Sequence, residues 1–323
     1  MPITQSRYTA HLQEWHGKAG VPYWPKYLFH YAHVTAAAAA LRDEGLVCRA
    51  AQPQLVHDVA EPGALGTNPD ALSFVRLYFR PLTPFHLSTE GIKFRGEQYR
   101  RERHMSIPLA FMLDAGKILT TAGVGFSDRK LAHLGEAAHF DNEGFNQIPF
   151  ADVYHHGPPG QRLREIHDRR MAEVIVPNEL RLEDCLQFII CRTIYDERTL
   201  RHCLGDVSAH MASRIRVAST PTEFFFCWGT FIHLLEFSDR YLRLKLFQGR
   251  NYVRGRRVRC KIEQWSGERV IAAADFEDEI NDRGVRVGPF PEEPDAIWRI
   301  EIEDVLAFNG RIPQKQSELV ARA

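Results

Sequence analysis

Short apolar segments recur through the first two thirds of the chain and limit what it can fold into. Their aromatic and β-branched residues, and the prolines or charged residues that end them, are typical of β-strands. They read YLFHYAH, SFVRLYFRPLTP, IPLAFMLD, RRMAEVIVP and LQFIICRTIYD. The first is followed by VTAAAAALRDEGLV, which predicts a helix that Thr35 caps and Gly45 ends. The pattern predicts an α+β protein.

One of these strands carries a charge that a strand does not need. Glu173 lies in the apolar run from Met171 to Val176, directly after Arg169 and Arg170. Burying an unpaired carboxylate is costly, so Glu173 needs either a partner or a function. One interpretation is a strand-end residue paired with Arg169 or Arg170, which would contribute only ~0–1 kcal/mol. The other is a catalytic carboxylate.

The overall charge of the chain excludes a general attraction to polyanions. The 41 Lys and Arg residues balance 41 Asp and Glu residues, so only local patches can attract nucleic acid. The N-terminal stretch MPITQSRYTAHLQEWHGK has no apolar core like that of a signal peptide. The longest apolar runs fall short of the ~18 residues of a membrane span. We expect a cytoplasmic protein without a membrane partner.

The cysteines predict reduced thiols. Six of them are scattered without a CxxC pair, which fits a cytosolic protein better than a disulfide framework. Cys191, His202 and Cys203 match no standard zinc spacing. We expect buried structural cysteines and no metal.

The composition changes after about residue 205, where an aromatic segment is followed by a basic one and then an acidic one. The basic segment, 240–261, has no acidic residue and includes Arg254, Arg256 and Arg257. Such a patch suits phosphate backbones. The alternative is a hairpin whose outer face meets the acidic residues around 277–282 and 292–295. We therefore expect a β-rich accessory region over 206–323.

Four blocks, in order, resemble the DarT family of nucleic-acid ADP-ribosyltransferase toxins, over roughly residues 25–205. They are LFHYAHVTAAAAALRDEGLV, FVRLYFRPLTPF, IPLAFMLDAGKILTTAGVGFSDRKLA and RRMAEVIVPNEL. The last resembles the family strand that bears the catalytic glutamate. The resemblance implies that residues 1–205 form an ADP-ribosyltransferase-like split antiparallel sheet with flanking helices, and that NAD binds between its halves.

The resemblance also implies roles for single residues. Glu173 becomes the catalytic glutamate. His30 would lie in the NAD pocket, near the nicotinamide-side ribose or the carboxamide, and Tyr78 and Phe79 on the strand that packs beside the nicotinamide. Arg49 becomes the candidate for the pyrophosphate, because a guanidinium binds phosphate oxygens bidentately. The alternatives are a core histidine for His30, core aromatic residues for Tyr78 and Phe79, and a surface arginine for Arg49.

The residues just before Glu173 are expected to meet the target. Arg169 or Arg170 would contact nucleic acid or brace Glu173. The chain departs from the family pattern His-x-Thr-His, because Ala32 stands where the family has the threonine hydroxyl, and at FSDRKLA, which has Arg129 and Lys130 in place of Gly-His. Ser127 and Asp128 in that block are typical of a helix cap.

The activity implied is transfer of ADP-ribose from NAD to a base of single-stranded DNA, or of RNA. A carboxylate can stabilise the oxocarbenium-like transition state and help to remove a proton from the nucleophile. A toxin or phage-defence role would bring an antitoxin partner such as a macrodomain hydrolase. Two alternatives stay open: a protein-directed transferase or NAD glycohydrolase, and a non-catalytic nucleic-acid-binding or sensor protein.

Overall fold

The computed structural model describes residues 2–18, 23–52, 72–94, 104–131, 137–249, 255–279 and 284–312. Its α-helices are α1 (Gln5–Trp15), α2 (Val34–Arg42), α3 (Pro84–Thr89), α4 (Ala115–Leu119), α5 (Asn142–Gln147), α6 (Phe150–Val153), α7 (Leu163–Arg169), α8 (Leu182–Cys185), α9 (Ile194–Leu204) and α10 (Ala209–Ala212). Short 3₁₀ turns span Trp24–Lys26, Arg49–Ala51, Gly160–Arg162 and Pro221–Glu223.

The strands are spread over the whole described chain, and its C-terminal part consists almost entirely of them. They are β1 (Tyr27–His33), β2 (Gly45–Val47), β3 (Phe74–Tyr78), β4 (Pro108–Asp114), β5 (Gly125–Phe126), β6 (Glu173–Pro177), β7 (Glu179–Arg181), β8 (Leu186–Cys191), β9 (Ile215–Val217), β10 (Phe231–Ser238), β11 (Tyr241–Phe247), β12 (Arg257–Ser266), β13 (Arg269–Glu279), β14 (Val285–Val287), β15 (Ile297–Ile302) and β16 (Val305–Gly310).

The central sheet has the order β5-β6-β3-β1-β4-β8-β9, and each of the five predicted strands lies in it. Neighbouring strands are antiparallel except β8 and β9, which are parallel. β1 pairs with β4 along its whole length, but with β3 only at Phe29 and Tyr78. The sheet is therefore split between β1 and β3, which confirms the predicted split antiparallel sheet.

Local sequence explains where these elements begin and end. β4 is buried along almost all its length, as its unbroken apolar run predicts for an inner strand. The predicted helix is α2, but its cap is His33, whose ring accepts from the Thr35 N–H. Thr35 was the wrong cap because His33 already fills that position. α2 ends at Arg42, and Glu44 takes the left-handed conformation (φ 52°) before Gly45 opens β2.

The C-terminal part is β-rich, as predicted. One sheet has the order β10-β11-β14 and another β13-β12-β15-β16. A hydrophobic core separate from that of the central sheet fills this region, and it includes Ile92, Phe94 and Tyr195 from earlier in the chain. Residues of the first part thus complete the core of the second.

The division into residues 1–205 and 206–323 stays a proposal. β9 belongs to the central sheet and Phe225 to its core. Both features favour placing the boundary near Phe225. None of the helices within the described ranges has the length and hydropathy of a membrane span.

A buried ionic network joins the two parts. Arg192 lies 3.3 Å from Asp196 and 3.8 Å from Glu90, and its guanidinium stacks 3.9 Å above the Phe231 ring. Glu90 accepts from the backbone N–H groups of Phe226 (2.7 Å) and Cys227 (2.8 Å). Because burial raises the pKa of Glu90, these donors and Arg192 are what keep its charge compensated. The segment that leads into the second part is thereby fixed to the first.

Candidate active site

Glu173 is the first residue of β6, and it lies opposite Tyr78 of β3. It follows a tight turn in which Met171 and Ala172 donate to the carbonyls of Asp168 and Arg169. Its side chain is 0% exposed. The chain therefore places a fully buried carboxylate at the strand end, beside the split in the sheet.

The carboxylate of Glu173 is held by groups from two other segments. Oε2 accepts a hydrogen bond of 2.9 Å from the Leu131 N–H, and Oε1 lies 3.7 Å from Nη1 of Arg76. The Glu173 carbonyl accepts from the Ser127 N–H at 2.9 Å. The loop 127–131 thus covers the carboxylate, while β3 supplies a cation.

Neither arginine proposed from the sequence as a brace contacts Glu173. Arg169 pairs with Asp128, and Arg170 bonds the ring of His155 and the carbonyl of Gly157. Both guanidinium groups are engaged by these other partners. Arg76 takes the place that the sequence assigned to them.

The position of Arg76 follows from the sheet register. Arg76 lies opposite Ile175, two residues along β3 from Tyr78. Side chains two residues apart in a strand share a face, and diagonal cross-strand neighbours reach each other. Arg76 and Glu173 therefore meet on one face of the sheet. The sequence showed only an arginine between two apolar residues, and the pairing of β3 with β6 was needed to find its role.

His30 lies on β1, across the split from β6. Its Nδ1–H donates to the Arg76 carbonyl at 3.0 Å, because a carbonyl can only accept. Burial lowers the pKa of His30, so the ring is neutral and Nε2 carries the lone pair. The Phe111 ring packs edge-on against it at 5.9 Å. His30 is thus a half-buried imidazole on the opposite half of the sheet from Glu173.

Tyr78 and Phe79 have different environments. The Tyr78 ring packs edge-on against His86 at 5.3 Å, and burial together with the Glu173 charge raises the pKa of its phenol. Phe79 lies one residue beyond β3 and packs against Phe145 and Phe150 in the aromatic core. The structure brings Tyr78 to Glu173, whereas Phe79 lies off the strand to which the sequence assigned it.

Arg49 lies in the 3₁₀ turn after β2. The neighbouring Cys48 N–H donates to the carbonyl of Asn178, just after the end of β6. Since β6 has five residues, this hydrogen bond holds the backbone beside Arg49 at the far end of the strand, about 15 Å from the backbone of Glu173. Its pairing with a pyrophosphate stays a prediction.

The loop 127–131 corrects one expectation. No helix follows Ser127 within this described stretch, so Ser127 and Asp128 do not form the predicted cap there. Ser127 Oγ instead donates to the Arg129 carbonyl at 2.6 Å, and Asp128 pairs with Arg129 and Arg169. The cap-like residues stabilise a turn and an ion-pair cluster next to Glu173.

The basic residues of the C-terminal part lie on a hairpin, with no described contact to Glu173. Arg257 lies opposite Glu279 in the β12–β13 ladder and is 3.8 Å from Glu277, its diagonal neighbour, as the hairpin alternative expected. The guanidinium of Arg256 lies 4.6 Å above the Phe94 ring. Arg254 falls outside the described residues. Nucleic-acid contacts by these three arginines stay predictions.

The sequence did not single out His86, which lies beside Tyr78 on α3. Its ring is 3.6 Å from that of Tyr31 and its Nδ1 is 3.0 Å from Thr83 Oγ1. Burial, and then the nearby His30, hold the pKa of His86 well below its usual range. The sequence TPFH, a proline-led helix start, would have placed this histidine in a first helical turn.

This arrangement suits stabilisation of positive charge next to a bound ligand. A carboxylate and a phenol lie opposite each other on β6 and β3, the carboxylate has a positioned counter-ion, and an imidazole lies on the other half of the sheet. Fixed charges of this kind act on charge that develops in a transition state. Within the described part of the chain, no group of three or more His, Cys, Asp or Glu residues could hold a metal ion.

The chain is similar to one known family. The family model described as "ssDNA thymidine ADP-ribosyltransferase, DarT" matches residues 29–226. No curated protein sequence matches the chain.

Three solved structures are similar to it. Thermus sp. 2.9 DarT with ADP-ribosylated single-stranded DNA is 15% identical over 62% of this chain and 97% of that one (TM-score 0.48). The same protein with NAD+ is 16% identical over 60% and 96% (TM-score 0.44). Thermosipho africanus DarTG with ADP-ribose is 14% identical over 62% of this chain and 51% of that one (TM-score 0.45).

Proposed function

This chain belongs to the DarT family of single-stranded-DNA thymidine ADP-ribosyltransferases, and we propose on that premise that Glu173 is the carboxylate that carries its reaction. Membership makes the protein an ADP-ribosyltransferase with NAD+ as co-substrate and single-stranded DNA as target, which confirms the activity predicted from the sequence. The finer proposal is that the acceptor is the base of thymidine.

The observation that carries this proposal is the position of Glu173. It is a buried carboxylate at the end of β6, beside the split in the sheet, and a cation lies 3.7 Å from it. Loss of nicotinamide leaves a ribose with oxocarbenium character. A carboxylate hydrogen-bonded to a ribose hydroxyl stabilises that charge and can accept the proton released by the attacking base.

The other residues of the site have supporting roles in this proposal. Oε2 of Glu173 already accepts a hydrogen bond from the Leu131 N–H. In the complex, the ribose hydroxyl takes the place of this N–H as the donor. His30 uses Nδ1–H on the Arg76 carbonyl, which leaves Nε2 for the co-substrate. Tyr78 forms a wall of the nicotinamide pocket, and Arg49 pairs with the pyrophosphate.

The biological role is proposed from family membership alone. A DNA-modifying transferase acts as a toxin or a phage-defence effector, and an antitoxin such as a macrodomain hydrolase restrains it. In the second part of the chain, Arg254, Arg256 and Arg257 are the candidates for contact with nucleic acid.

The test is transfer of label from NAD+ to single-stranded DNA and RNA oligonucleotides. The wild type is compared with Glu173→Ala and with Glu179→Ala, a matched control at an exposed position of β7. We expect label on DNA from the wild type and the control only, and mass spectrometry of nucleosides to find it on thymidine. Transfer that survives in Glu173→Ala removes Glu173 from the chemistry.

A different outcome would favour one of the alternatives. Release of nicotinamide without label on any nucleic acid would indicate an NAD glycohydrolase. Label on protein would indicate a protein-directed transferase. Salt-sensitive DNA binding without any turnover of NAD+ would indicate a non-catalytic binding protein.

A further inference from the structure

We propose that Arg80, Arg170 and His155 form a phosphate subsite next to Glu173, which holds one phosphate of the substrate while the base or ribose reacts. This proposal deepens the proposed function and rests on it. The three residues come from different segments: the turn after β3, the turn before β6, and the stretch after α6.

The cluster is built around Arg80, which is 3% exposed. Its Nε donates to the Pro81 carbonyl at 3.0 Å, and its Nη1 to the carbonyls of Val153 and His155. Its guanidinium lies over the Trp24 ring, 4.6 Å from the centroid. Arg80 is therefore rigidly placed, and it fixes the backbone of His155.

Arg170 completes the cluster from the other side. Its Nη2 donates to Nδ1 of His155 at 2.9 Å and to the Gly157 carbonyl at 2.6 Å. Its Nε is buried without a hydrogen-bond acceptor in the described part of the chain. Because Nδ1 of His155 accepts from Arg170, the ring proton lies on Nε2. The remaining polar atoms of the cluster are thus N–H donors.

The positive charge of this cluster has no carboxylate partner among the described residues. The nearby acid, Asp152, is bound bidentately by Arg162, at 3.1 and 2.6 Å. Burial and the neighbouring positive charges act in the same direction on the pKa values of the cluster. Burial, and then the charge of Arg170, lower the pKa of Arg80 to about 9. Burial and the same two arginines lower the pKa of His155.

A group of donors with net positive charge and no acid selects an oxyanion, and guanidinium groups are well matched to phosphate. The position of the cluster indicates where in the site this phosphate would lie. Arg170 is three residues before Glu173, and Arg80 is two residues after Tyr78, the cross-strand partner of Glu173. The backbone at Arg170 is therefore within about 10 Å of the backbone at Glu173.

Both substrates of the proposed reaction carry phosphates, so the experiment has two arms. The first measures binding of a fluorescent single-stranded oligonucleotide at several salt concentrations, without NAD+. The second measures binding of NAD+ by calorimetry, without DNA. The variants are Arg170→Gln and His155→Phe, with Arg164→Gln as the matched control. Arg164 is an exposed arginine on α7, the helix that ends directly before Arg170.

We expect Arg170→Gln to weaken binding of the oligonucleotide by at least about tenfold. The slope of log Kd against log salt should fall by about 0.7, the value for one lost phosphate contact on a single strand. His155→Phe should give a smaller loss in the same direction, and Arg164→Gln should match the wild type. Arg80→Gln is a poor first variant because three backbone carbonyls depend on Arg80.

If Arg170→Gln weakens binding of NAD+ and leaves the oligonucleotide unaffected, the subsite holds the pyrophosphate of NAD+. If both ligands bind Arg170→Gln and His155→Phe as they bind Arg164→Gln, and circular dichroism shows all variants folded, the subsite does not exist. Neither arm includes a transfer step. A failure of the subsite is thus distinguishable from a failure of Glu173 in catalysis.

Discussion

Tyr78 pairs with Glu173 across the β3–β6 ladder, and the same residue is the one register position at which β3 meets β1. The candidate catalytic carboxylate is therefore one strand away from the joint between the two halves of the sheet. His30 lies next to Phe29, the partner of Tyr78 on the other half. Both halves are needed to assemble the site.

Glu173→Gln should separate activity from stability. The amide oxygen can still accept from the Leu131 N–H, but the negative charge is lost. We expect transfer of ADP-ribose to fall by roughly 10²–10³-fold, while the free energy of unfolding changes by no more than about 1 kcal/mol. The measurements are initial rates of label transfer and urea denaturation. A loss of several kcal/mol in stability would instead make Glu173 a structural residue.

Arg76→Gln should slow the reaction through Glu173. Arg76 is a positioning residue here, because it contacts the carboxylate at 3.7 Å and its side chain is 23% exposed. We expect kcat to fall by about tenfold with little change in KM for NAD+, and stability to fall by about 1–2 kcal/mol, between the values for exposed and buried pairs.

The conservative variant of Arg76 tests the reason for that loss. Arg76→Lys keeps the positive charge and should restore part of kcat. If Arg76→Lys is as slow as Arg76→Gln while both are folded, the guanidinium acts through its shape rather than its charge.

His11 should make the fold sensitive to acid. It is buried among the aromatic rings of Phe145, Phe150 and Tyr154, and burial lowers its pKa from 6.5 to about 3. The unfolded chain therefore binds a proton below pH 6.5 that the folded chain binds only near pH 3. The free energy of unfolding therefore decreases as the pH is lowered from 6.5 towards 3. At pH 5 the loss from this residue, relative to neutral pH, is about 2 kcal/mol.

The His11→Phe variant should lose this contribution. Its free energy of unfolding, measured by denaturation at pH 7 and pH 5, should fall less between the two pH values than that of the wild type. His16→Phe, an exposed position at the end of α1, is the control. Equal pH dependence in His11→Phe and the wild type would contradict the prediction.

Arg192→Leu should be among the most destabilising single changes. The variant leaves Glu90 and Asp196 buried without the cation between them, which typically costs about 3–5 kcal/mol. Arg201→Leu removes a pair with Glu197, one turn away on α9, in which the Arg201 side chain is 44% exposed, and should cost only about 0.5–1 kcal/mol. Chemical denaturation of both variants measures the contrast, and similar losses would mean that the buried network contributes little.

Removal of residues 227–323 should leave a first part that does not stay folded in solution. The truncation exposes Ile92, Phe94 and Tyr195, which lie in the core of the second part, and it removes the Phe231 ring from Arg192. We expect aggregation or loss of a cooperative thermal transition. A soluble fragment 1–226 with a sharp transition and transfer activity would show that the second part is dispensable for folding.

The strands were predictable from the sequence because their apolar patterns are local. β1, β3, β4, β6 and β8 each coincide with a predicted segment, and Glu173 stood out as the charge in one of them. Its partner Arg76 did not stand out in the sequence, because the contact between Arg76 and Glu173 depends on which strands are neighbours and on their register. Residues that are distant in sequence meet only through that pairing.

Two further features of the sequence also depend on long-range pairing. Ser127 and Asp128 are residue types that often cap helices. In the structure Ser127 bonds within its own turn, and Asp128 pairs with Arg169, which is distant in sequence. The basic segment 240–261 carried two equally good interpretations, and only the pairing of β12 with β13 placed Glu277 beside Arg257. Local composition could not choose between them.

The narrow junction between β1 and β3 has a consequence for how the site can vary. Where two strands part, some of their peptide groups no longer pair with each other. The Arg76 carbonyl is taken by His30, and other groups at such a junction can meet a bound co-substrate. Recognition by main-chain groups does not depend on which side chains are attached. A cleft made in this way can accommodate replacements such as Arg129 and Lys130 in FSDRKLA, or Ala32 in the first strand, while the geometry offered to the ligand stays the same.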